Sequence, residues 1–250
     1  VSPIVWRVEH FDEIDSTNTY VAKHVRDDVA EGLVALADFQ SSGRGRLDRA
    51  WTSPPRASLL CSMLLRPNVD VTQLQLVVAL VALATRTALE RLCGLRPQLK
   101  WPNDLVVGEN KLAGLLAEVV ETAGGLAVVV GLGLNLTYDG PEGVSATSVQ
   151  AETGVTIVPR ALLDIVLEEI EIRRPQLDSK EGRVALRAEY TKALATIGQF
   201  VRVEQLDGAK RGVARGVDDA GQLLVEIDGV LQTFGAGDVV HLRPSDEGPR

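Results

Sequence analysis

The chain has 250 residues with 45% hydrophobic and 24% charged, and its 26 Lys plus Arg against 34 Asp plus Glu leave a formal net charge of −8. Those proportions exclude a disordered tail and fit one large domain, or a large and a small one, while the acidic balance argues against a general nucleic-acid binder, which needs a basic face for phosphates. The longest unbroken apolar run, Leu76–Ala84, is far short of the ~18 residues of a membrane span, and the N-terminus VSPIVWRVEHFDEID has no basic flank before an apolar core, so neither anchor nor signal peptide is expected and a cytoplasmic enzyme is the default.

Residues 1–14 alternate loosely around Trp6, Val8, Phe11 and Ile14, a strand-like pattern. Any of Asp15-Ser16-Thr17-Asn18 can cap the helix predicted by Tyr20, Val21, His24 and Val25. Leu33–Phe39 reads as a buried strand, the Gly-, Ser-, Pro- and Arg-rich stretch 40–56 as a loop, and Ser58–Leu65 as a strand stopped by Pro67. Thr72–Cys93 is the clearest helix, ended by Gly94 and roughly 30 Å long at ~1.5 Å per residue, enough to back a whole sheet. Strands are then expected at Leu99–Trp101, Leu105–Val107, Leu112–Val120 and Leu126–Leu136, with turns at 108–110 and 124–125. Tight turns make such strands antiparallel. Pro159–Ile172 and Lys180–Leu194 are two further helices, the first opened by its proline. From Gly198 the texture changes to short strands at 200–203, 210–217, 223–227 and 232–234, punctuated by Gly208, Gly216, Gly221, Gly229, Gly235 and Gly237. This predicts a small closed or nearly closed β-barrel with a boundary near residue 196, followed by a polar tail, PSDEGPR. Cys61 and Cys93 lie in apolar stretches without CxxC or HxxxH spacing and read as two buried free thiols.

The chemistry concentrates in a few segments. In 40–51, Gly43 and Gly45 let backbone approach a ligand, and Arg44, Arg46 and Arg49 face only Asp48. Arginine forks fit phosphate and carboxylate oxygens, although a solvated loop paired with surface carboxylates has the same composition. Trp51 is either a loop anchor or a stacking surface. Lys100-Trp101-Pro102-Asn103-Asp104 is either a site at a sheet margin or an ordinary turn. Lys111, beginning the apolar KLAGLL, either snorkels or aims its ammonium into a cleft. Asn135 poses the same question at the end of VVVGLGLN. Other engines are missing from the sequence. It has no GxxxxGK[ST] loop, no GxSxG elbow and no KxDG nucleophile motif, GLGLNL lacks the third glycine of a dinucleotide fingerprint, and His10, His24 and His241 are scattered.

DSTN at 15–18, GRGRxxRxW at 43–51, KWPNDL at 100–105, KLAGLL at 111–116 and GLGLN at 131–135 occur together and in order. This set resembles the biotin protein ligases, the biotin–acetyl-CoA-carboxylase ligases, and GVARGVDDAGQLLVE at 212–226 is similar to that family's small C-terminal domain. The resemblance implies an α+β fold: a mixed, largely antiparallel sheet backed by helices, class II synthetase-like, over 1–195, with a small SH3-like β-barrel over 196–250. It implies an enzyme that joins biotin and ATP into biotinoyl-5′-AMP and passes biotin to a lysine of a biotin carboxyl carrier domain, with Mg2+ expected and no metal ligands assigned.

On the matching positions, Ser16, Thr17, Asn18 and Gln40 line the biotin head. Gly43, Arg44, Gly45 and Arg46 form a mobile covering loop, and Gly114 lies on the biotin side. Arg46, Arg49, Trp51, Asn103 and Asn135 lie towards the nucleotide, and Lys111 reaches both the biotin carboxylate and the α-phosphate. Lys111, Arg44, Arg46 and Asp104 are the catalytic set, with Asp104 open among metal partner, acceptor-lysine orienter and base. Leu47-Asp48 and Ala50 depart from relatives with further basic or glycine residues there. Because the match begins almost at residue 1, the resemblance is to the ligase-only type without an N-terminal helix-turn-helix, so no DNA partner is expected. The rivals are a lipoate- or octanoate-type acyl-adenylating ligase and a noncatalytic biotin-sensing module. An intact arginine loop and Lys111 argue against the latter.

Overall fold

The computed structural model describes residues 3–25, 29–122, 125–205, 208–235 and 238–241. Gly124, Gly237 and the 244–250 tail lie outside them. Strand β1 (Arg7–Phe11) leads into helix α1 (Thr17–His24), capped by Ser16, whose hydroxyl accepts from the Thr19 amide. Next come β2 (Leu33–Ala37), β3 (Ser58–Leu65) and the long helix α2 (Leu74–Cys93), closed by Gly94 in the left-handed region. Strands β4 (Gln98–Lys100), β5 (Asp104–Val107), β6 (Asn110–Thr122) and β7 (Gly125–Asn135) follow, then helices α3 (Val149–Thr153), α4 (Pro159–Arg173) and α5 (Lys180–Ala193). The last strands are β8 (Phe200–Gln205), β9 (Gly208–Val217), β10 (Leu223–Ile227), β11 (Val230–Phe234) and β12 (Asp238–His241).

The first seven strands form one sheet in the order β1-β2-β3-β7-β6-β5-β4. Only the β1–β2 pairing is parallel, because α1 carries the chain across between them. The last five form an antiparallel sheet in the order β11-β10-β9-β8-β12, and its inward residues Val201, Val203, Ala214, Leu223, Val225, Phe234 and Val239 join the main apolar core. The α+β architecture expected from the sequence is the one observed.

Two elements escaped the sequence. Helix α3 is a single turn held by Ser148, whose hydroxyl accepts from the Ala151 amide, and by Gly154 at φ 73°. In sequence, such Ser and Gly residues read as loop. Strand β12 is four residues long and gains its identity only by pairing with β8. The cysteine expectation needs one correction: Cys61 is buried, its thiol pushed up to about 12 by burial, but Cys93 is only half-buried, at the last turn of α2. Both are free.

The strands read as continuous apolar runs because both sheet faces are covered. On one face Leu59, Cys61, Met63 and Leu65 of β3, with Val128, Val130, Leu132 and Leu134 of β7, pack in the core that holds α2, α4 and α5. On the other face Leu64 of β3 and Ala127 and Val129 of β7 pack against Val21 of α1. Further along that second face α1 ends, and the side chains shrink. Gly114 of β6 pairs with Gly133 of β7, and Leu116 with Gly131, which in turn faces Ser62 of β3. With period-2 alternation, the three glycines leave a depression in the sheet surface.

Candidate active site

A cavity of about 510 Å³ opens over this depression. Fourteen of the sequence-derived candidates, Ser16, Thr17, Asn18, Gln40, Arg44, Gly45, Arg46, Arg49, Trp51, Asn103, Asp104, Lys111, Gly114 and Asn135, line it. Gly43 is the exception. It is a pinch point beside the cavity: a Cβ there would meet the Trp51 carbonyl at 2.4 Å, and its own carbonyl accepts from the Trp51 amide at 2.9 Å.

Glycine makes the floor. A Cβ on Gly133 would lie 2.5 Å from the Trp51 ring, and one on Gly114 would lie 3.1 Å from Lys111 Nζ and 3.2 Å from Trp51. The two glycines therefore seat the indole and the lysine on the sheet. Trp51 packs on this floor, with Nε1 buried and without a hydrogen-bond partner among the described residues. Lys111 does not snorkel away. Its Nζ is 2.7 Å from Asp104 Oδ1 and 5.6 Å from the Trp51 ring centroid, inside the cleft. Its backbone is pinned on the far side, where its amide donates to Ser145 O and its carbonyl accepts from Thr147 N, both at 3.0 Å.

At one end the start of α1 supplies a fixed polar network. The Thr17 amide and hydroxyl both donate to Gln40 Oε1, at 2.7 and 2.9 Å. Asn18 donates to Glu118 Oε2 at 2.7 Å and to Leu116 O at 3.3 Å, and accepts from the Ser62 hydroxyl at 2.5 Å. A Cβ on Gly131 would strike the Asn18 amide at 2.3 Å, so this glycine holds open the seat of Asn18. Ser62 and Glu118 did not emerge from the sequence. The available signal was one hydroxyl in the apolar run LLCSMLL, and one carboxylate in LLAEVV, at a position whose facing cannot be read when both faces are buried.

The 40–56 stretch is more ordered than a featureless loop. Arg44 and Ala50 form an isolated antiparallel bridge, and the Gly45 amide donates to Arg49 O at 2.7 Å. Leu47, at φ 54° and 62% exposed, makes the tip. Side-chain clasps tie this hairpin down, among them Arg44 donating to Glu118 at 3.0 Å and Arg46 donating to Asn103 Oδ1 at 3.2 Å.

The other end is built from the turn after β4. Asn103 donates through Nδ2 to Leu115 O at 2.6 Å, and the Leu115 amide returns a bond to Asn103 O at 2.9 Å. Asn135 donates to Thr147 O at 3.0 Å and so holds the 140–147 segment, whose Gly140, Pro141, Val144 and Ala146 wall the cavity. Glu204 and Val239 of the C-terminal sheet complete this wall. None of these last six was expected. Arg44, Arg46, Arg49, Lys100 and Lys111 line the cavity against Asp104 and Glu204, a local cationic balance in an acidic chain that suits an anionic ligand with an apolar body. Among the described residues no cluster of three or more His, Cys, Asp or Glu is placed to hold a metal, and no helix is long and apolar enough to cross a membrane.

The chain is similar to known proteins over most of its length. Residues 10–135 match the Biotin/lipoate A/B protein ligase family, and residues 196–242 match the Biotin protein ligase C terminal domain. The chain is 38% identical to the biotin–[acetyl-CoA-carboxylase] ligase of Mycobacterium tuberculosis over 85% of its own length and 80% of that protein. It is 28% identical to the bifunctional ligase/repressor BirA of Bacillus subtilis over 91% of its length and 72% of that one. Among solved structures it superposes on the biotin protein ligase from Aquifex aeolicus in complex with biotin and ATP with a TM-score of 0.80 at 27% identity, covering 94% of this chain and 98% of that one. A glycine-floored, cation-lined cavity, the order of its motifs and these whole-length similarities lead to one assignment: the chain belongs to the biotin protein ligase family.

Proposed function

We propose that the protein is a biotin–[acetyl-CoA-carboxylase] ligase: it activates biotin with ATP as biotinoyl-5′-AMP and transfers biotin to a lysine of a biotin carboxyl carrier domain. The observation that carries this reading is the seat of Lys111, on the Gly114 floor between the α1 polar network and the Asn103–Asp104 turn. A carboxylate and an α-phosphate meeting at one ammonium is what adenylation requires.

In the first step a biotin carboxylate oxygen attacks the α-phosphorus. The new C(O)O–P bond forms as the Pα–O–Pβ bond breaks, and pyrophosphate leaves. The reactants are both anionic, so fixed positive charge lowers the barrier by being in place beforehand. Lys111 supplies it from the sheet, Arg44 and Arg46 join it when their clasps to Glu118 and Asn103 are exchanged for ligand oxygens, and Arg49 lies towards the phosphates. Lys111 exchanges its Asp104 contact for the reacting oxygens. At the biotin end, the ureido ring matches hydroxyl and amide groups from Ser16, Thr17, Asn18 and Gln40, with Ser62 added. The Asn18 amide donors are already committed, so Asn18 orders the end more than it offers a hydrogen bond. The apolar ring system and chain lie on the sheet. At the nucleotide end Trp51, Asn103 and Asn135 flank the adenylate. The 43–51 hairpin excludes water from the mixed anhydride.

Magnesium takes most of its ligands from phosphates and water and asks the protein for one or two carboxylates. Asp104 fits that need and would hold the ion beside the triphosphate, where it would offset the charge of the leaving group. In the second step the carrier lysine amine attacks the acyl carbon and AMP leaves. We assign residues 1–195 to the catalytic unit and 196–250 to a smaller one that closes the nucleotide end through Glu204 and Val239.

Pyrophosphate release tests the reading. Release should require biotin with ATP and should not be supported by lipoate or octanoate. With a carrier domain added, one biotin should appear on its lysine. Activity with lipoate in place of biotin, or no release with either acid, would overturn it.

A further inference from the structure

The nucleotide-side turn is held from behind by two side chains outside the cavity. Gln75, on the first turn of α2, donates through Nε2 to the Pro102 carbonyl and lies 3.2 Å from the Tyr190 hydroxyl. That hydroxyl, from the buried end of α5, lies 3.4 Å from the same carbonyl. The Pro102 carbonyl belongs to the peptide unit that carries the Asn103 amide, so fixing this oxygen fixes the plane from which Asn103 and Asp104 emerge. In front, Asn103 is tied to Leu115 and to Arg46. Behind, Trp101 is 1% exposed, with its indole N–H donating to Gly221 O at 3.1 Å and its amide donating to Thr196 Oγ1 at 3.2 Å. Gly221 also abuts Gln75: a Cβ there would sit 3.0 Å from Gln75 Cγ.

We propose that Gln75 and Tyr190 are positioning residues for nucleotide binding, clamping the Pro102 carbonyl so that Asn103 and Asp104 face the ligand. Neither contributes to the cavity wall, so each acts through the turn. Tyr190 is 2% exposed. Burial raises its phenol pKa, ahead of the Asp104 charge, so it stays a neutral donor. A buried tyrosine hydroxyl is costly without a partner, and the carbonyl it faces is the one that the partly buried Gln75 also holds. The turn lies at the junction of α2, α5 and the β9–β10 hairpin. Its geometry therefore depends on how the C-terminal sheet is seated.

The proposal rests on the reading of this end as the nucleotide site. Its test measures binding of α,β-methylene-ATP and of biotin by calorimetry in the full chain, with thermal unfolding alongside. Gln75→Met keeps length and removes the donor, and Tyr190→Phe keeps the buried ring and removes the hydroxyl. Gln75→Met should weaken α,β-methylene-ATP roughly three- to tenfold and Tyr190→Phe about two- to threefold. Biotin affinity should stay within error, and KM for ATP should rise with KM for biotin unmoved. Because both groups serve one oxygen, the double variant should lose less than the product of the two. Unchanged nucleotide affinity in folded variants would overturn the clamp, as would equal weakening of biotin and nucleotide with a lowered unfolding temperature. Failure of the unsubstituted protein to bind α,β-methylene-ATP, with biotin or without it, would instead overturn the nucleotide reading and the clamp with it.

Discussion

Two walls of the cavity, the turn at one end and the hairpin beside it, are built on opposite principles. The 101–104 turn is held by neutral side-chain hydrogen bonds, buried at Trp101 and partly buried at Gln75 and Asn103. The 43–51 hairpin is held by its own backbone and by arginine clasps, and at Arg44–Glu118 the side chains are 47% and 31% exposed. Leaving a buried donor or acceptor unpaired costs about 1–3 kcal/mol, whereas an exposed ion pair contributes about 0–1 kcal/mol after screening. The first wall therefore resists rearrangement. The second can trade its exposed Arg44–Glu118 clasp for ligand oxygens at little cost, which is the differential contact a ligand-ordered cover requires. Under the proposed function the fixed turn would hold the nucleotide while the exchangeable cover brings its arginines to the reacting oxygens.

Lys111→Ala should show the largest effect, because it removes the ammonium seated on the Gly114 floor beside Asp104. The loss of a charge-assisted contact worth ~1.5–3 kcal/mol implies roughly a ten- to hundredfold or greater fall in pyrophosphate release. The unfolding transition should be nearly unchanged, since the lysine is on the cavity side. Release near the unsubstituted rate would show that the ammonium on the sheet floor does not carry the chemistry.

Gly133→Ala sharpens the comparison at the floor common to both walls. The added methyl meets Trp51 at 2.5 Å, so the indole must shift, an overpacking cost of about 1–3 kcal/mol. About tenfold weaker binding of α,β-methylene-ATP is expected, and a crystal structure of the variant should find the indole displaced. An unmoved indole with unchanged affinity would mean that the glycine is not there for Trp51.

Arg46→Gly loosens the cover by removing its clasp to Asn103 and adding backbone freedom. Biotinoyl-AMP should escape several-fold faster, and lysines of bystander proteins should become biotinylated without docking. Cleavage by trypsin between Ser42 and Trp51 should be suppressed by biotinoyl-AMP in the unsubstituted protein and much less so in the variant. Equal cleavage with and without ligand in the unsubstituted protein, and labelling confined to the carrier in the variant, would remove the gate from the mechanism.

How much of this was legible follows from the same contrast. The arginines and Lys111 are charged residues in settings where charge stands out, whereas the Asn103-Asp104 pair reads by itself as an ordinary turn and was singled out only by the family resemblance. Buried apolar strands such as Ser58–Leu65 and the long helix were equally clear from pattern and length. What stayed hidden was facing. With both sheet faces covered, neither Ser62 nor Glu118 announces which side it serves, and Gly131 and Gly133 look like interruptions when they are seats for Asn18 and Trp51. The 140–147 segment joins the site through the backbone bonds of Ser145 and Thr147 to Lys111, which leave no side-chain signature. Gln75 and Tyr190 look like ordinary residues of amphipathic helices until the fold brings one carbonyl between them.

Glu118→Gln should have the smallest effect, and it discriminates most finely between the two kinds of wall. The carboxylate receives both Asn18 Nδ2, at 2.7 Å, and Arg44, at 3.0 Å, and so links the ordered biotin end to the exchangeable cover. The amide keeps an acceptor for Asn18 and the side-chain shape but loses the charge that holds the guanidinium. If the Arg44 clasp is an exchangeable latch, the free hairpin should become two- to threefold more sensitive to trypsin between Ser42 and Trp51, an effect of well under 1 kcal/mol as expected for an exposed pair. Ligand should restore protection, because biotin and adenylate oxygens then hold the arginine. The difference should shrink as salt is raised and the unsubstituted pair is screened. A large loss of biotin affinity that salt does not change would mean that Glu118 acts through the Asn18 network instead, which would place the Arg44 end of the hairpin with the rigid wall.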